Sequence, residues 1–530
     1  MTVNFSPSKQ QSRVGYNFFG RTRVAISRST PNHEPKRKLA CAALVLLASA
    51  AALPAQTFTT LHSFHGSDSK SPQAALTEGA NGQLYGTAGE GGASADGTIF
   101  SVTKAGQLTT VYSFCSQPSC ADGALPSAGL VQTPNRVLYG TTSSAGANSF
   151  YAEYGTVFKV SGGTVTTLYS FCSKASCADG AGPMGGLVLA ANGAFYGTTG
   201  VGGASDSCFL GCGTIFKITP AGALTSLYSF CSQPSCADGS NPEAGLVLAT
   251  DGNLYGTTRE GGLSAQGTVF KISPAGALTT LYSFCSKPNC SDGAGPVAGL
   301  IQTASGDFYG TTKLGGLNCV PNGCGTIFKL SSTGEFTTLY SFCAQPNCAD
   351  GQYPSASLIQ ATDGNLYGTT QAAGANSNLD QYGTAFRITT SGSLTTLYSF
   401  CSSANCADGA APVAGLVQAT DGNLYGTTEA GGTYGEKLGG WGTVFKLSVG
   451  LGPFVKTLSN SGHVGATIEI LGTSLNGATQ VSFNGSPAEF SVASSTLISA
   501  TIPAGATSGI VQVVSPSGIL SSYLPFSVLP

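Results

Sequence analysis

The sequence predicts an all-β protein, a seven-bladed β-propeller followed by an immunoglobulin-like β-sandwich. Three observations predict it. The tripeptide Tyr-Gly-Thr, preceded by Leu or Phe, occurs seven times, starting at Tyr85, Tyr139, Tyr196, Tyr255, Tyr309, Tyr367 and Tyr425, at intervals of 54 to 59 residues. A fixed period with loop-sized variation marks one supersecondary unit repeated in an array. Each unit holds four short β-like runs joined by tight turns, as a propeller blade requires. The repeats then stop near Val449, and residues 450–530 read as short alternating strands without cysteine.

The first element is a targeting segment. Lys36, Arg37 and Lys38 precede an apolar run over 39–53, and Pro54-Ala55 offers a small-residue cleavage site before Gln56. Residues 1–55 therefore read as a signal peptide with a basic leader, which directs the chain to the cell surface or the medium. The run falls short of the ~20 apolar residues of a bilayer span, so no membrane span is expected beyond it. Residues 56–530 carry 15 basic and 24 acidic side chains. Nucleic-acid binding needs clustered cations that displace counterions; this chain lacks them, and nucleic acid is not an expected partner.

The propeller is assigned to residues 56–449. In the fourth unit the runs are 244–250 (A), 254–258 (B), 267–272 (C) and 278–284 (D). Asp251-Gly252-Asn253 turns A into B, and Ser273-Pro274-Ala275-Gly276 turns C into D. Gly supplies the positive φ that such hairpin turns demand. A parallel β-helix is the rival architecture, but its repeats are shorter and lack two tight hairpins per unit. The array starts on a D-type run at 58–64 and ends on a C-type run at 442–447. The N-terminal strand is thus expected to complete the seventh blade, closing the ring and removing an open sheet edge.

Sixteen cysteines follow the leader's Cys41, and they sort into local pairs. Six lie after strand D: Cys115/Cys120, Cys172/Cys177, Cys231/Cys236, Cys285/Cys290, Cys343/Cys348 and Cys401/Cys406. Two lie in B–C loops: Cys208/Cys212 and Cys319/Cys324. Even pairing in an exported chain implies disulfides, and pairs that appear or vanish together within one loop are expected to bond to each other and to stiffen that loop. Zinc thiolates are the alternative. An oxidising compartment and only four histidines argue for disulfides, and no metal or cofactor is expected.

The A–B and C–D connections are short and repetitive; the D–A and B–C connections are long and variable. Function concentrates on variable loops held by a rigid scaffold, so the D–A/B–C face is the expected binding surface. Candidate contacts are the aromatics outside the repeat pattern, namely Phe150, Tyr151, Tyr154, Phe209, Tyr382, Tyr434 and Trp441, with the charges Arg259, Glu260, Lys313 and Glu429. Flat aromatic faces suit sugars or protein hot spots; the same rings also serve to pack their own loops. The Tyr and Phe that recur in every unit read as blade-to-blade core. The recurring Asp122, Asp179, Asp238, Asp292, Asp350 and Asp408 precede Gly and read as Asx-type turns. No catalytic residue is assigned. His62, His65 and His463 do not recur and have no evident triad partner. A glycosidase-like carboxylate pair across the channel is the open alternative, with Glu90, Glu260 and Glu429 its first candidates.

At these residues the chain resembles a known family. The unit DGNLYGTT…GG…GTVFK…LTTLYSF resembles the GloVer tandem repeat of choice-of-anchor bacterial secreted proteins. The tail, with Val464-Gly-Ala-Thr-Ile-Glu-Ile-Leu-Gly-Thr, Val481-Ser-Phe-Asn-Gly and Ala500-Thr-Ile-Pro-Ala-Gly, resembles an IPT/TIG immunoglobulin-like domain. The first resemblance implies export and no defined activity; the second implies a spacer or interaction module. The reading is an exported non-catalytic binding or surface-structural protein whose ligand is carbohydrate or another cell-surface protein. A polysaccharide-active hydrolase or lyase is the alternative.

Overall fold

The computed structural model describes residues 56–148, 154–319, 321–377, 382–434 and 439–529. The leader and its cleavage site lie outside them. Seven four-stranded antiparallel sheets follow one another along the chain. In blade 4 the strands are Val247–Leu248 (A), Leu254–Thr258 (B), Thr268–Ile272 (C) and Leu278–Ser283 (D). Strand A is only two residues long, not the run of seven read from the sequence. The residues before it pack backbone to backbone with neighbouring blades: a Cβ on Gly245 would lie 3.0 Å from the Gly186 carbonyl oxygen, which leaves no room for a longer ladder.

Each residue of Tyr-Gly-Thr has a separate job. The Tyr255 ring packs with Phe308 of the next blade, 4.1 Å between centroids, while its hydroxyl donates to Asp251 in the A–B turn. Gly256 lies under the Phe270 ring, which a Cβ would meet at 2.6 Å. The Thr257 hydroxyl donates to the Ala298 carbonyl of the next blade at 3.0 Å. The same Thr bond runs from blade to blade around the molecule: Thr87 to Ala128, Thr141 to Gly185, Thr198 to Ala244, Thr311 to Ala356 and Thr369 to Ala414. Thr427 of blade 7 completes the circuit by donating to Pro72 of blade 1, two residues earlier than the repeat would place it.

The N-terminal strand Thr57–Ser63 pairs antiparallel with Thr443–Ser448, so blade 7 contains both ends of the array. It reproduces the C–D ladder in detail. In blade 4, Val269 faces Tyr282 and Phe270 faces Thr280, with Leu281 bulged out. In blade 7, Val444 faces His62 and Phe445 faces Thr60, with Leu61 bulged out. Phe64 is fully buried, and its ring meets Phe100 of blade 1 edge-on at 5.2 Å.

Beyond the propeller, two four-stranded sheets face each other. One runs Lys456–Thr457, Thr467–Leu471, Leu497–Thr501, Phe490–Ser494; the other runs Ser486–Ala488, Gln480–Phe483, Val511–Ser515, Gly518–Ser521. Ile468, Ile470, Val481, Phe483, Ile498, Val511 and Val513 fill the space between them. This sandwich sits on the A–B/C–D face. Leu458, Leu471 and Leu497 cover Ala80, and the Thr496 hydroxyl donates to the Ala80 carbonyl at 3.0 Å. The Phe454 N–H donates to Thr420.

Glu78 pins this junction. It lies in strand A of blade 1 and is 4% exposed. Its carboxylate accepts from the Thr420 N–H and hydroxyl of blade 7, at 2.9 and 2.8 Å. It also meets Lys104 Nζ at 2.8 Å and Lys456 Nζ of the sandwich at 3.0 Å. Other seams use Gln at this position: Gln302 accepts from the Thr250 N–H and Gln418 from the Thr362 N–H. Burial raises the Glu78 pKa, but the Lys456 and Lys104 charges together outweigh it and hold the carboxyl below its ordinary value.

Candidate functional site

The D–A and B–C connections of all seven blades converge on a cup of about 550 Å³. Two rings of residues line it. One follows the proline of each D–A loop: Gln73, Ser127, Met184, Glu243, Val297, Ser355 and Val413. The other follows strand B: Gly89, Ser143, Arg259, Lys313, Gln371 and Glu429, with Glu90 beside it. Two residues past the first ring come Ala75, Gly129, Gly186, Gly245, Gly299, Ser357 and Gly415. A Cβ on any of these glycines would come within 3.0–3.6 Å of the preceding blade's carbonyl oxygen. Only small residues fit this inner circle, which forms the floor of the cup.

Charge is distributed unevenly around the cup. Arg259 and Lys313 stand on neighbouring blades 4 and 5. Arg259 Nη1 donates to Glu243 at 2.8 Å, and Glu243 first of all holds the guanidinium protonated above its ordinary value. Across the cup, Glu429 accepts from Gln73 at 2.8 Å, and Glu90 pairs with Lys70. The cup therefore has a cationic side and an anionic side, with polar and apolar residues between. Among the described residues, groups of three or more His, Cys, Asp or Glu with ligand atoms within 4.8 Å of one another are all built on cysteines; none lies in the cup.

The expected contacts scatter. Arg259, Lys313, Glu90 and Glu429 line the cup. Glu260 does not; it is exposed, 4.0 Å from the Arg259 Nε. Trp441 closes the ring seam, its indole lying 3.5 Å from where a Gly66 Cβ would stand. Tyr434, 48% exposed, meets His65 edge-on at 5.6 Å. Tyr382 is half-buried, and its carbonyl accepts from the Ala411 N–H. Phe209 stands at a loop tip, 94% exposed. Tyr154 lines a separate cavity of about 710 Å³ with Val201, Cys208 and Leu210. Phe150 and Tyr151 lie outside the described residues. Glu243, Met184, Gln73 and Gln371 were not among the candidates. Their signal was available: each follows an otherwise repeated Pro or Thr and varies from unit to unit.

The sandwich covers part of the opposite face. A cavity of about 610 Å³ there lies between Val131–Asn135, the Leu187–Ala191 region and residues Leu458–Ser461 of the sandwich.

All eight expected disulfides are present. Those after strand D are Cys115–Cys120, Cys172–Cys177, Cys231–Cys236, Cys285–Cys290, Cys343–Cys348 and Cys401–Cys406. Those in B–C loops are Cys208–Cys212 and Cys319–Cys324. The second cysteine of each bridge after strand D also anchors the neighbouring loop, as Cys290 and Cys406 illustrate. The Cys290 carbonyl accepts from the Gly316 N–H and the Cys406 carbonyl from the Gly432 N–H, both at 2.9 Å. Each thereby ties a D–A loop to the B–C loop that follows it. The backbone turns left-handed at both cysteines, with φ of 50° at Cys290 and 54° at Cys406, and the bridge to Cys285 or Cys401 holds that corner in place.

The recurring aspartates make no Asx turns; each reaches back to fix its cystine loop. Asp292 accepts from the Ser286 and Lys287 N–H groups, the Ser286 hydroxyl and the Tyr282 hydroxyl. The cysteine-free first D–A connection does the same with different residues: His62 replaces the Tyr, and its Nε2 lies 2.9 Å from Asp68, as does His65 Nε2 at 3.1 Å. The two histidines that lacked an evident partner thus share one.

A comparison with curated proteins gave no match. Among solved structures, an oligogalacturonate lyase from Vibrio parahaemolyticus aligns with TM-score 0.42 at 11% identity, over 74% of this chain and 93% of that one. A putative oxidoreductase (glucose dehydrogenase) from Thermus thermophilus aligns with TM-score 0.38 at 15% identity, over 74% and 100%. Likenesses this distant carry no argument about the site. The family described as Gloeobacter/Verrucomicrobia repeat matches residues 51–248, 211–436 and 322–478, and the IPT/TIG domain matches 453–528. These matches span the blades and the sandwich in turn, and the chain belongs to the Gloeobacter/Verrucomicrobia repeat family, with an IPT/TIG domain after the repeats.

Proposed function

We propose that this is an exported, non-catalytic binding or surface-structural protein that takes its ligand in the cup on the D–A/B–C face. One observation carries the reading: the otherwise repetitive blades differ from one another where they line the cup, and the cup is polarised by Arg259 and Lys313 on one side and Glu429 and Glu90 on the other. Its volume lies within the roughly 300–1,000 Å³ of small-ligand sites. Part of the opposite face is taken up by the chain's own sandwich, whereas the cup meets no other part of the described chain. The eight disulfides support an extracellular setting. Among the described residues no helix is long and apolar enough to cross a membrane. A carbohydrate chain, or a loop of another surface protein, supplies the hydroxyls and the opposed charges that such a cup would pair with.

A glycan array and a surface-protein pull-down with residues 56–530 test this, with Arg259→Ala/Lys313→Ala as the matched control. Binding that falls at least tenfold in the double variant supports the reading. Binding unchanged by it sinks the cup as the site. Release of sugar fragments from a bound polysaccharide, abolished by Glu243→Gln or Glu429→Gln, favours the hydrolase or lyase instead.

A further inference from the structure

The extra cysteine pairs in two B–C loops do not stand alone. Cys208 and Cys212 lie against Cys231 and Cys236, and all four sulfurs are within 4.8 Å of one another; Cys319, Cys324, Cys343 and Cys348 form a second such group. The two groups occupy the same place in blades 3 and 5. Their spacings match as well: 18 residues separate Cys212 from Cys231, and 18 separate Cys324 from Cys343. Two C-x3-4-C knuckles about 15–20 residues apart have the ligand spacing of a four-thiolate zinc site. Zn–S bonds of about 2.3 Å set the sulfurs of a tetrahedral site just under 4 Å apart, inside the 4.8 Å within which the sulfurs of each group lie.

A second, independent observation points the same way. The residue four after the last D–A cysteine is Ala124, Ala181, Ala294 and Ala410 in the four loops without a neighbouring B–C pair. In the two loops that have one it is polar, Ser240 and Gln352. Gln352 is buried, and its amide nitrogen points into the second group, 3.0 Å from Cys348 Sγ, 3.7 Å from Cys343 Sγ and 3.8 Å from Cys319 Sγ. A disulfide sulfur is a weak acceptor and gives a buried amide little reason to be there. A thiolate is a strong one, and N–H donors to coordinated sulfur are what hold such ligands in place.

We propose that each four-cysteine group is a redox-gated site for one soft divalent cation, zinc by chemical class, so that the chain holds two. In the oxidised chain the sulfurs are two disulfides per group. A dithiol reductant opens each disulfide, giving two cysteine thiols and its own cyclic disulfide in a two-electron exchange. The four thiols then bind Zn2+ and release four protons, leaving a site of charge −2, toward which the Gln352 amide donates in blade 5. The six D–A pairs are not equivalent: those with no B–C partner, such as Cys285–Cys290 and Cys401–Cys406, offer two sulfurs and make no site. The blades do not rely on these disulfides to stay folded, because each closes a loop of only four or five residues while β-ladders hold the ring.

The test is metal stoichiometry on the full chain, reduced with a dithiol, desalted anaerobically and titrated with Zn2+, then with Co2+ for its thiolate charge-transfer and tetrahedral d–d bands. Two equivalents per chain are expected. Cys208→Ser/Cys212→Ser should bind one, Cys172→Ser/Cys177→Ser should still bind two, and Gln352→Ala should weaken one of the two sites about 10-fold or more. No metal, a stoichiometry indifferent to Cys208→Ser/Cys212→Ser, or Co2+ spectra without thiolate bands overturns the proposal. If reduction loosens the blades, refolding the reduced chain with and without Zn2+ decides: recovery of the β circular dichroism with two bound ions supports the sites, and recovery indifferent to Zn2+ removes them.

Discussion

Glu78→Gln is the most informative single change, because it installs at the closing seam the residue that other seams already use. The Gln side-chain oxygen would keep the Thr420 N–H bond, as Gln302 keeps that of Thr250. What is lost is the pair of charge-assisted bonds to Lys104 and Lys456. Such bonds contribute about 1.5–3 kcal/mol each. Both lysines are roughly a quarter exposed and regain some hydration, so the expected total is about 2–4 kcal/mol. Urea unfolding of wild type and variant at neutral pH measures it. The carboxyl's pKa is lowered in the folded chain, so its contribution is full above the unfolded carboxyl pKa, about 4.3, and is lost as pH falls through the folded value. The gap between wild type and variant should therefore close on acidification. A neutral-pH cost below about 1 kcal/mol, or a gap that persists unchanged in acid, would refute the assignment of Glu78 as the charged pin.

Three further outcomes are expected. Phe64→Ala should cost about 3–5 kcal/mol and raise amide exchange in both Thr57–Ser63 and Thr443–Ser448, whereas Phe114→Ala, at a seam joined by continuous chain, should leave those strands protected. Asp68 contributes to the same acid sensitivity as Glu78: burial raises its pKa, the His62 bond and the His65 and Ser69 N–H groups together lower it further, and Asp68→Asn should flatten stability between about pH 4 and more acid values. Burial, then the bonds to Asp238 and Asp292, push the Tyr228 and Tyr282 phenols up to about 12. Ultraviolet titration should therefore show a late-ionising tyrosine class, with stability full below about pH 10 and falling as pH rises through that value.

The blades were legible because their turns and their Tyr-Gly-Thr cores are local: Gly252 sets a hairpin and Gly256 makes room for Phe270 whatever lies elsewhere. Ring closure was legible from the order of strand types alone. Strand A was over-read, because an apolar run such as 244–250 does not reveal that Gly245 abuts the neighbouring blade's backbone. The cup was legible in its face and in four of the charges that line it. Aromatic character alone does not separate the two roles: Trp441 covers Gly66, and a ring on a variable loop reads the same whether it meets a ligand or a seam. Docking of the sandwich on the plain face, and the meeting of the paired cysteines, depend on how separate loops stack and left no periodic trace.

The partner of Thr57 is Ser448, nearly four hundred positions further along. A chain synthesised from its amino end must keep that opening segment unpaired until almost the whole propeller has emerged. Long-range pairing of this kind is slow to form, and a waiting strand and its vacant berth are both sticky edges. Lys456, beyond the blades, adds its charge to Glu78 where blade 1 meets blade 7, so the sandwich reinforces the very seam that ring closure creates.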